Sequence, residues 1–195
     1  MNNFINIYTD GSCFNNGKVN STGSIGVFFN DNDKRNISEA INNMKITNQR
    51  MELLAVIRSL EKLNENEKAY IYTDSKYVIN SMTKWVRHWE NNDWKKSNNK
   101  TIENQDLIMD LRDKLKLKFV IFKHIKSHQN EPNKDDVNYI HWYGNKMADF
   151  LALQSNKNNL KKILNKEIDE TLETIKDKNS FKKMNNYKLK NEFNI

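Results

Sequence analysis

Two aspartates follow the same tripeptide: Asp10 closes "IYTD-G" and Asp74 closes "IYTD-S". Apolar residues precede both, as they would in a buried strand. A carboxylate at the end of such a strand must be neutralised, paired, or bound to something positive. Asp-Gly is also ordinary turn chemistry, so a turn cap accounts for Asp10 on its own. Glu52 in "TNQRMELLA" and Asp149 in "GNKMADFLA" each stand early in a predicted helix, where the helix dipole favours negative charge. Each acid therefore has a structural reading when taken singly. Four of them in one place would repel strongly, which is tolerable in a site that exists to bind cations.

The elements that must position these acids are legible from pattern. "NFINIYTDGS", "SIGVFFN" and "RNISEAI" read as three strands, the last two joined by a turn at "DNDK". "TNQRMELLAVIRSLEKL" reads as a helix with Leu53, Leu54, Ile57 and Leu60 on one face. "KAYIYTD" is a strand. "SKYVINSMTKWVRHWE" is a helix with Val78, Met82, Trp85 and Trp89 at helical spacing, and "NDWKKSNNK" is a basic loop. A third helix, "IENQDLIMDLRDKL", and a strand, "KFVIFKHI", precede a long polar loop and the helix "WYGNKMADFLALQS". The order βββαβα(α)βα predicts an α/β fold with a mixed sheet covered by helices. Two strands ending in Tyr-Thr-Asp could set both carboxylates side by side at the strand-end crevice.

Composition bounds the rest. The chain has 195 residues, net charge +7 and one cysteine, Cys13. Its mean hydropathy is −0.90 and its pI about 9.3. An internal disulfide is excluded, and an intracellular setting, cytoplasmic or nuclear, is expected because no secretory leader or membrane span is visible. Eleven Lys or Arg against six acids concentrate positive charge in residues 84–126, and ten Lys against six acids do so from Ser155 onward. Basic charge of this kind meets nucleic acid or anionic membranes. Residues 1–155 are expected to form one domain, and 156–195 a Lys/Asn-rich C-terminal extension, partly helical or disordered. Within it, Leu160, Ile163, Leu164, Ile168, Leu172 and Ile175 suggest one helix, and the last twenty residues look disordered.

"YTDGS", "TNQRMELLA", "YTDSKYV" and "GNKMADFLA", in this order, resemble the type 1 ribonuclease H family over roughly residues 4–154. The resemblance implies a ribonuclease H-like fold with a mixed five-stranded sheet flanked by helices. It implies an endonuclease that cuts the RNA strand of RNA–DNA hybrids and leaves 5′-phosphate and 3′-hydroxyl ends. Asp10, Glu52, Asp74 and Asp149 match the family's metal-binding carboxylates, which implies two Mg²⁺ ions, with Mn²⁺ as an alternative. Asp10 would serve both ions, Asp74 and Asp149 the water-activating one, and Glu52 the leaving-group one. His128 in "KSHQ" matches the family's flexible-loop histidine, with a role in proton transfer or product release. The insertion "QNEPNKDDVNYIHW" is longer than the family pattern and offers His141 as a competitor.

The same resemblance assigns Asn16, Asn48 and Gln49 to the minor groove of the hybrid, where 2′-hydroxyls are read. Lys45, Thr47 and Asn104 match a pocket for a DNA-strand phosphate, with lysine in place of the more usual arginine. Tyr77, Trp85 and Trp89 match the DNA-side aromatic channel, although core packing explains Trp89 equally well. Lys95 and Lys96 correspond to the family's basic protrusion, diluted here by Glu90 and Asp93. The expected partner is the hybrid duplex, bound by a monomer, with no membrane involved. The extension is open to a protein or nucleic-acid partner. A non-catalytic binding module on the same fold is the alternative, and the presence of all four acids argues against it.

Overall fold

The computed structural model describes residues 4–192 except 19, 43 and 128, with the backbone alone for 163, 164, 167, 171, 172 and 174–192. His128 thus lies outside the described residues, as do the side chains of Ile163, Leu164, Leu172 and Ile175. Five strands form one sheet: β1 (Ile5–Phe14), β2 (Thr22–Phe28), β3 (Ile37–Ile41), β4 (Lys68–Thr73) and β5 (Phe119–His124), in the order β3-β2-β1-β4-β5. The three N-terminal strands pair antiparallel, whereas β4 lies parallel to both β1 and β5. This is the mixed five-stranded sheet that the sequence pattern implies.

Helix α1 (Asn48–Glu61) starts at Thr47, whose hydroxyl accepts from the Arg50 amide. It is buried nearly all round, from Arg50 to Leu60, rather than along the single apolar stripe expected. A helix enclosed on all sides can be apolar on all sides. It packs on β1 and β2 and against α4 (Gln105–Lys116). Ile7, Ile25, Leu53, Val56, Ile71, Ile108 and Leu111 meet in the main core.

The helix expected from Ser75 onward is interrupted. α2 (Lys76–Asn80) passes into a π turn (Ser81–Trp85) before α3 (Val86–Asn91). Val78, ahead of the wider turn, is buried, whereas Trp85 at its end is 39% exposed. Such turns recur at functional positions.

Helix α5 runs from Tyr139 to Glu192. It begins inside the stretch expected as loop and continues through residues expected to be disordered, as far as 192. No Gly or Pro follows Gly144 in the sequence, so nothing in the local chemistry breaks the helix. The chain divides into two compact units at Lys157/Asn158. Asn156 is buried and its side-chain oxygen accepts from the Thr22 hydroxyl at 2.9 Å, so the first unit closes two residues beyond the expected boundary. In the second unit the described side chains include an exposed Lys166–Glu170 pair at 3.7 Å. Among the described residues no helix is long and apolar enough to cross a membrane.

Candidate active site

Register explains why the two Tyr-Thr-Asp sequences matter. Tyr8 on β1 pairs with Tyr72 on β4. Asp10 and Asp74 each lie two residues further along these parallel strands, so they stand at the same level. β4 ends at Thr73, whereas β1 runs on to Phe14. Asp10 thus lies within its strand opposite Gly26, and not at a strand end as expected. Thr9 and Thr73 are fully buried beneath them.

Close backbone approach brings the helices to this edge. A Cβ on Gly11 would collide with the Glu52 amide nitrogen and the Met51 carbonyl carbon. Glycine is therefore what lets α1 lay Glu52 against β1. On the opposite face, a Cβ on Gly26 would strike the Ala148 carbonyl oxygen. There the Ser24 hydroxyl donates to the Ala152 carbonyl at 2.7 Å and the Thr22 hydroxyl donates to Asn156. Every second residue of β2 thus meets every fourth residue of α5. Two strand residues advance about 6.7 Å and four helical residues about 6 Å, so the ladder stays nearly in step. It carries Asp149, in the third turn of α5 and not at its start as expected, to the cleft.

One carboxylate oxygen each from Asp10, Glu52 and Asp74 lies within 4.8 Å of the other two. Asp149 lines the same cavity, of about 470 Å³, together with Gly11, Ser12, Cys13, Asn48 and Asn145. Burial, then the charges of Asp149 and Asp74, push the Asp10 carboxyl up to about 7, against a donated Gly11 amide hydrogen bond. Burial, then Asp10 and Asp74, drive Glu52 well above the usual carboxylate range. Glu52 Oε2 is buried and has no hydrogen-bond partner among the described residues. An orphaned acceptor beside two more carboxylates, none of the three in an ion pair among the described residues, fits a divalent metal. The all-oxygen donor set suits a hard ion such as Mg²⁺ or Mn²⁺.

The residues expected to meet nucleic acid fall into four groups. The side-chain oxygen of Asn16 accepts from the Asn48 amide at 3.3 Å, joining these two exposed residues beside the cleft, and Gln49 follows, also exposed. Thr47 and Asn104 sit at the starts of α1 and α4, which the bidentate Arg50–Asp106 pair ties together at 2.7 and 2.6 Å. The Asn104 amide donates to the Tyr77 hydroxyl at 3.1 Å. Lys45 is exposed, and its charge reaches Glu103 next to Asn104. Tyr77, Trp85 and Trp89 form a continuous row, with ring centroids 6.2 and 5.7 Å apart. Trp89 also packs on the core, whereas Trp85 faces outward. Lys95 and Lys96 stand on a small hairpin closed by the Lys95–Thr101 bridge, and the Lys96 ammonium donates to Glu103 at 2.8 Å.

His141 is absent from the cleft lining and instead packs between α5 and the sheet. Lys126, Ser127 and Gln129, the described neighbours of His128, do line the cleft. The Trp142 indole N–H donates to the Gln129 carbonyl at 3.0 Å, holding this segment beside α5. Trp142, Asn145 and Lys146 also line the cleft and had no sequence signal apart from their helical spacing to Asp149. Gly11 and Gly26 were equally silent, since only the facing helix reveals what a Cβ would strike.

The family model described as RNase H matches residues 2–157. Ribonuclease H of Schizosaccharomyces pombe is 38% identical over 146 residues, which cover 75% of this chain and 50% of that relative. The chain thus spans half the length of that relative. Ribonuclease HI of Haemophilus ducreyi is 34% identical over 152 residues, covering 69% of this chain and 96% of the relative. Among solved structures, the ribonuclease H domain of PFV aligns with a TM-score of 0.59 at 22% identity, covering 78% of this chain and 94% of that one. A foamy viral protease-reverse transcriptase in complex with RNA/DNA hybrid aligns at 0.60 and 23%, covering 80% of this chain and 20% of that one. These two likenesses concern the fold, and the sequence matches carry the assignment: the chain belongs to the type 1 ribonuclease H family.

Proposed function

We propose that this protein is an endonuclease that hydrolyses the RNA strand of RNA–DNA hybrids by two-metal-ion catalysis, giving 5′-phosphate and 3′-hydroxyl ends. The observation that carries the reading is the convergence of Asp10, Glu52 and Asp74 around a buried, unpartnered Glu52 oxygen. Two divalent ions, when bound, would supply activation of a water and stabilisation of the leaving 3′ oxygen. Asp10, Asp74, Glu52 and Asp149 would hold them, with Asp10 serving both. Gly11 steers the cluster by donating its amide to the carboxylates and keeping α1 close.

The remaining residues orient the duplex. Asn16, Asn48 and Gln49 stand beside the cleft with side-chain groups that can donate or accept, as a minor-groove edge requires. Lys45, Thr47 and Asn104 would grip a DNA-strand phosphate. Tyr77, Trp85 and Trp89 would meet deoxyriboses on the DNA side, and Lys95 and Lys96 the backbone beyond. His128 is assigned proton transfer or product release. A monomer in an intracellular compartment, cytoplasmic or nuclear, would suffice for this activity.

The test is a gel assay on labelled hybrid, duplex RNA, duplex DNA and single-stranded RNA. Cleavage confined to the hybrid's RNA strand, dependent on Mg²⁺ or Mn²⁺ and abolished by chelator, is expected. End analysis should find a 3′-hydroxyl on the upstream fragment and a 5′-phosphate on the downstream fragment of each cut. Tight hybrid binding without cleavage would leave a binding module. His128→Ala should slow turnover by about 10²-fold, the lower bound for acid–base help, with calorimetric metal binding unchanged.

A further inference from the structure

His141 lies in the insertion and outside the acidic cleft, yet its ring touches both strands that lead to the clustered aspartates. Its Nδ1 is 3.1 Å from the Tyr8 hydroxyl and its Nε2 is 3.4 Å from the Tyr72 hydroxyl. The ring stacks on Tyr72 with centroids 4.4 Å apart and planes at 25°. Tyr8 and Tyr72 are register partners and stack on each other at 5.0 Å. Tyr8 is only 2% exposed, so losing His141 would strand a buried hydroxyl, a costly change.

The position of this contact decides its consequence. Tyr8 precedes Asp10 by two residues within β1, so the two share a strand face, and Tyr72 precedes Asp74, the first residue beyond β4, by two. His141 precedes Asp149 by eight residues, slightly more than two turns of α5. Gly144, Ala148, Ala152 and Asn156 seat the helix on β1 and β2, and the Leu151 carbonyl accepts from Ser38 on β3. His141 adds a contact on β4, through the Tyr72 ring and hydroxyl. A helix seated on β1–β3 alone can pivot about that line. A grip on the far side of β1 fixes its rotation.

We propose that His141 is a positioning residue: by bridging Tyr8 and Tyr72 it sets where Asp149 stands relative to Asp10 and Asp74. It touches neither ion nor substrate. The inference rests on the reading of the carboxylate cluster as a divalent-cation site.

The test uses the full chain and Mn²⁺ titrated calorimetrically without nucleic acid, with hybrid cleavage measured alongside. His141→Phe keeps a ring against Tyr72 and removes both hydrogen bonds. Tyr8→Phe deletes one hydroxyl and serves if the first variant folds poorly. Each should weaken Mn²⁺ binding by about tenfold, as for residues that orient metal ligands. The KM for hybrid should stay unchanged and cleavage should recover at high Mn²⁺. The double variant should lose less than the sum, because both changes break one bond. In an Asp149→Asn background, His141→Phe should have no further effect on Mn²⁺ affinity, since the positioned ligand is gone. Unchanged affinity in folded His141→Phe and Tyr8→Phe, or a full additional loss in the Asp149→Asn background, would overturn the positioning role. If Asp74→Asn and Asp149→Asn themselves leave Mn²⁺ binding and hybrid cleavage intact, the metal-site reading fails and the positioning role falls with it.

Discussion

The acidic cleft and the basic hairpin treat charge in opposite ways. In the cleft, like charges are buried together: Glu52 is 5% exposed and lies against Asp10 and Asp74, with burial and repulsion raising both Glu52 and Asp10. At the hairpin, opposite charges meet in solvent: Lys96 pairs with Glu103, whose side chain is 73% exposed. Arg112 pairs with Glu90 close by. Exposed pairs of this kind contribute about 0–1 kcal/mol and are easily rearranged. A buried cluster of one sign opposes folding, and its retention on three separate elements is what a cation-binding role explains. The hairpin needs no such account, so its part in binding is the more adjustable of the two.

The comparison breaks first at its strongest point. Asp74→Asn should abolish hybrid cleavage, measured as single-turnover rate in saturating Mg²⁺. The metal-free variant should melt at the same or a higher temperature, because one repelling charge is gone. Near-normal turnover would reduce the cleft to a structural feature, as would a large fall in melting temperature.

Gly11→Ala comes next. Its methyl group would meet the backbone of Met51 and Glu52, which cannot swing aside as a side-chain tip can. Denaturant titration should show a loss of about 1–3 kcal/mol, accompanied by weaker metal binding. Gly17→Ala is the control for crowding, since a Cβ there meets nothing within 4 Å. Its positive φ of 78° still imposes the backbone cost expected of a left-handed residue.

A smaller effect sharpens the electrostatic half. Asp10 titrates near 7 in the folded protein, against 3.8 as its ordinary value. The folded state therefore holds this proton more tightly than the unfolded chain does. The associated stability is fully present below the unfolded value and is lost as pH rises through about 7. Asp33 and Asp106, lowered first by hydrogen bonds from arginine, act in the opposite sense and only at acid pH. Metal-free protein should thus melt at progressively lower temperature from about pH 5 to 8. Saturating Mg²⁺ should remove or reverse that slope, and Asp10→Asn should flatten it. A metal-free melting temperature that rises over this range would contradict the buried-cluster account.

The smallest change belongs to the hairpin. Lys96→Ala should raise KM a few-fold at low salt and reduce the logarithmic salt slope by about 1 if it contacts one phosphate. Glu103→Gln should move KM the other way by releasing the ammonium. A kcat effect in either variant would mean the hairpin reaches into the chemistry.

Much of the site was legible because its signals are local. The repeated Tyr-Thr-Asp marks two strands and their acids, although only β4 ends there while β1 runs on to Phe14. Helical periodicity around Glu52 and Asp149 indicates which elements carry them. The family motifs then supply a common purpose for the four acids. The polar insertion concealed the start of α5, because Tyr139–His141 reads as part of a loop until the His141 ring is seen packing on Tyr8 and Tyr72. The π turn was hidden for a similar reason: a one-residue change of register leaves composition untouched.

Which residues are chemically capable, and which strands and helices bear them, follows from the order of amino acids alone, since propensity, alternation and charge act over a few neighbours along the chain. Only the tertiary structure decided how those residues stand toward one another. The pairing of Tyr8 with Tyr72, the contacts of Gly11 with α1 and Gly26 with α5, and the seat of His141 between two strands all join positions far apart in the chain. Such contacts depend on excluded volume and hydrogen-bond direction between facing surfaces, and these arise only when the surfaces meet.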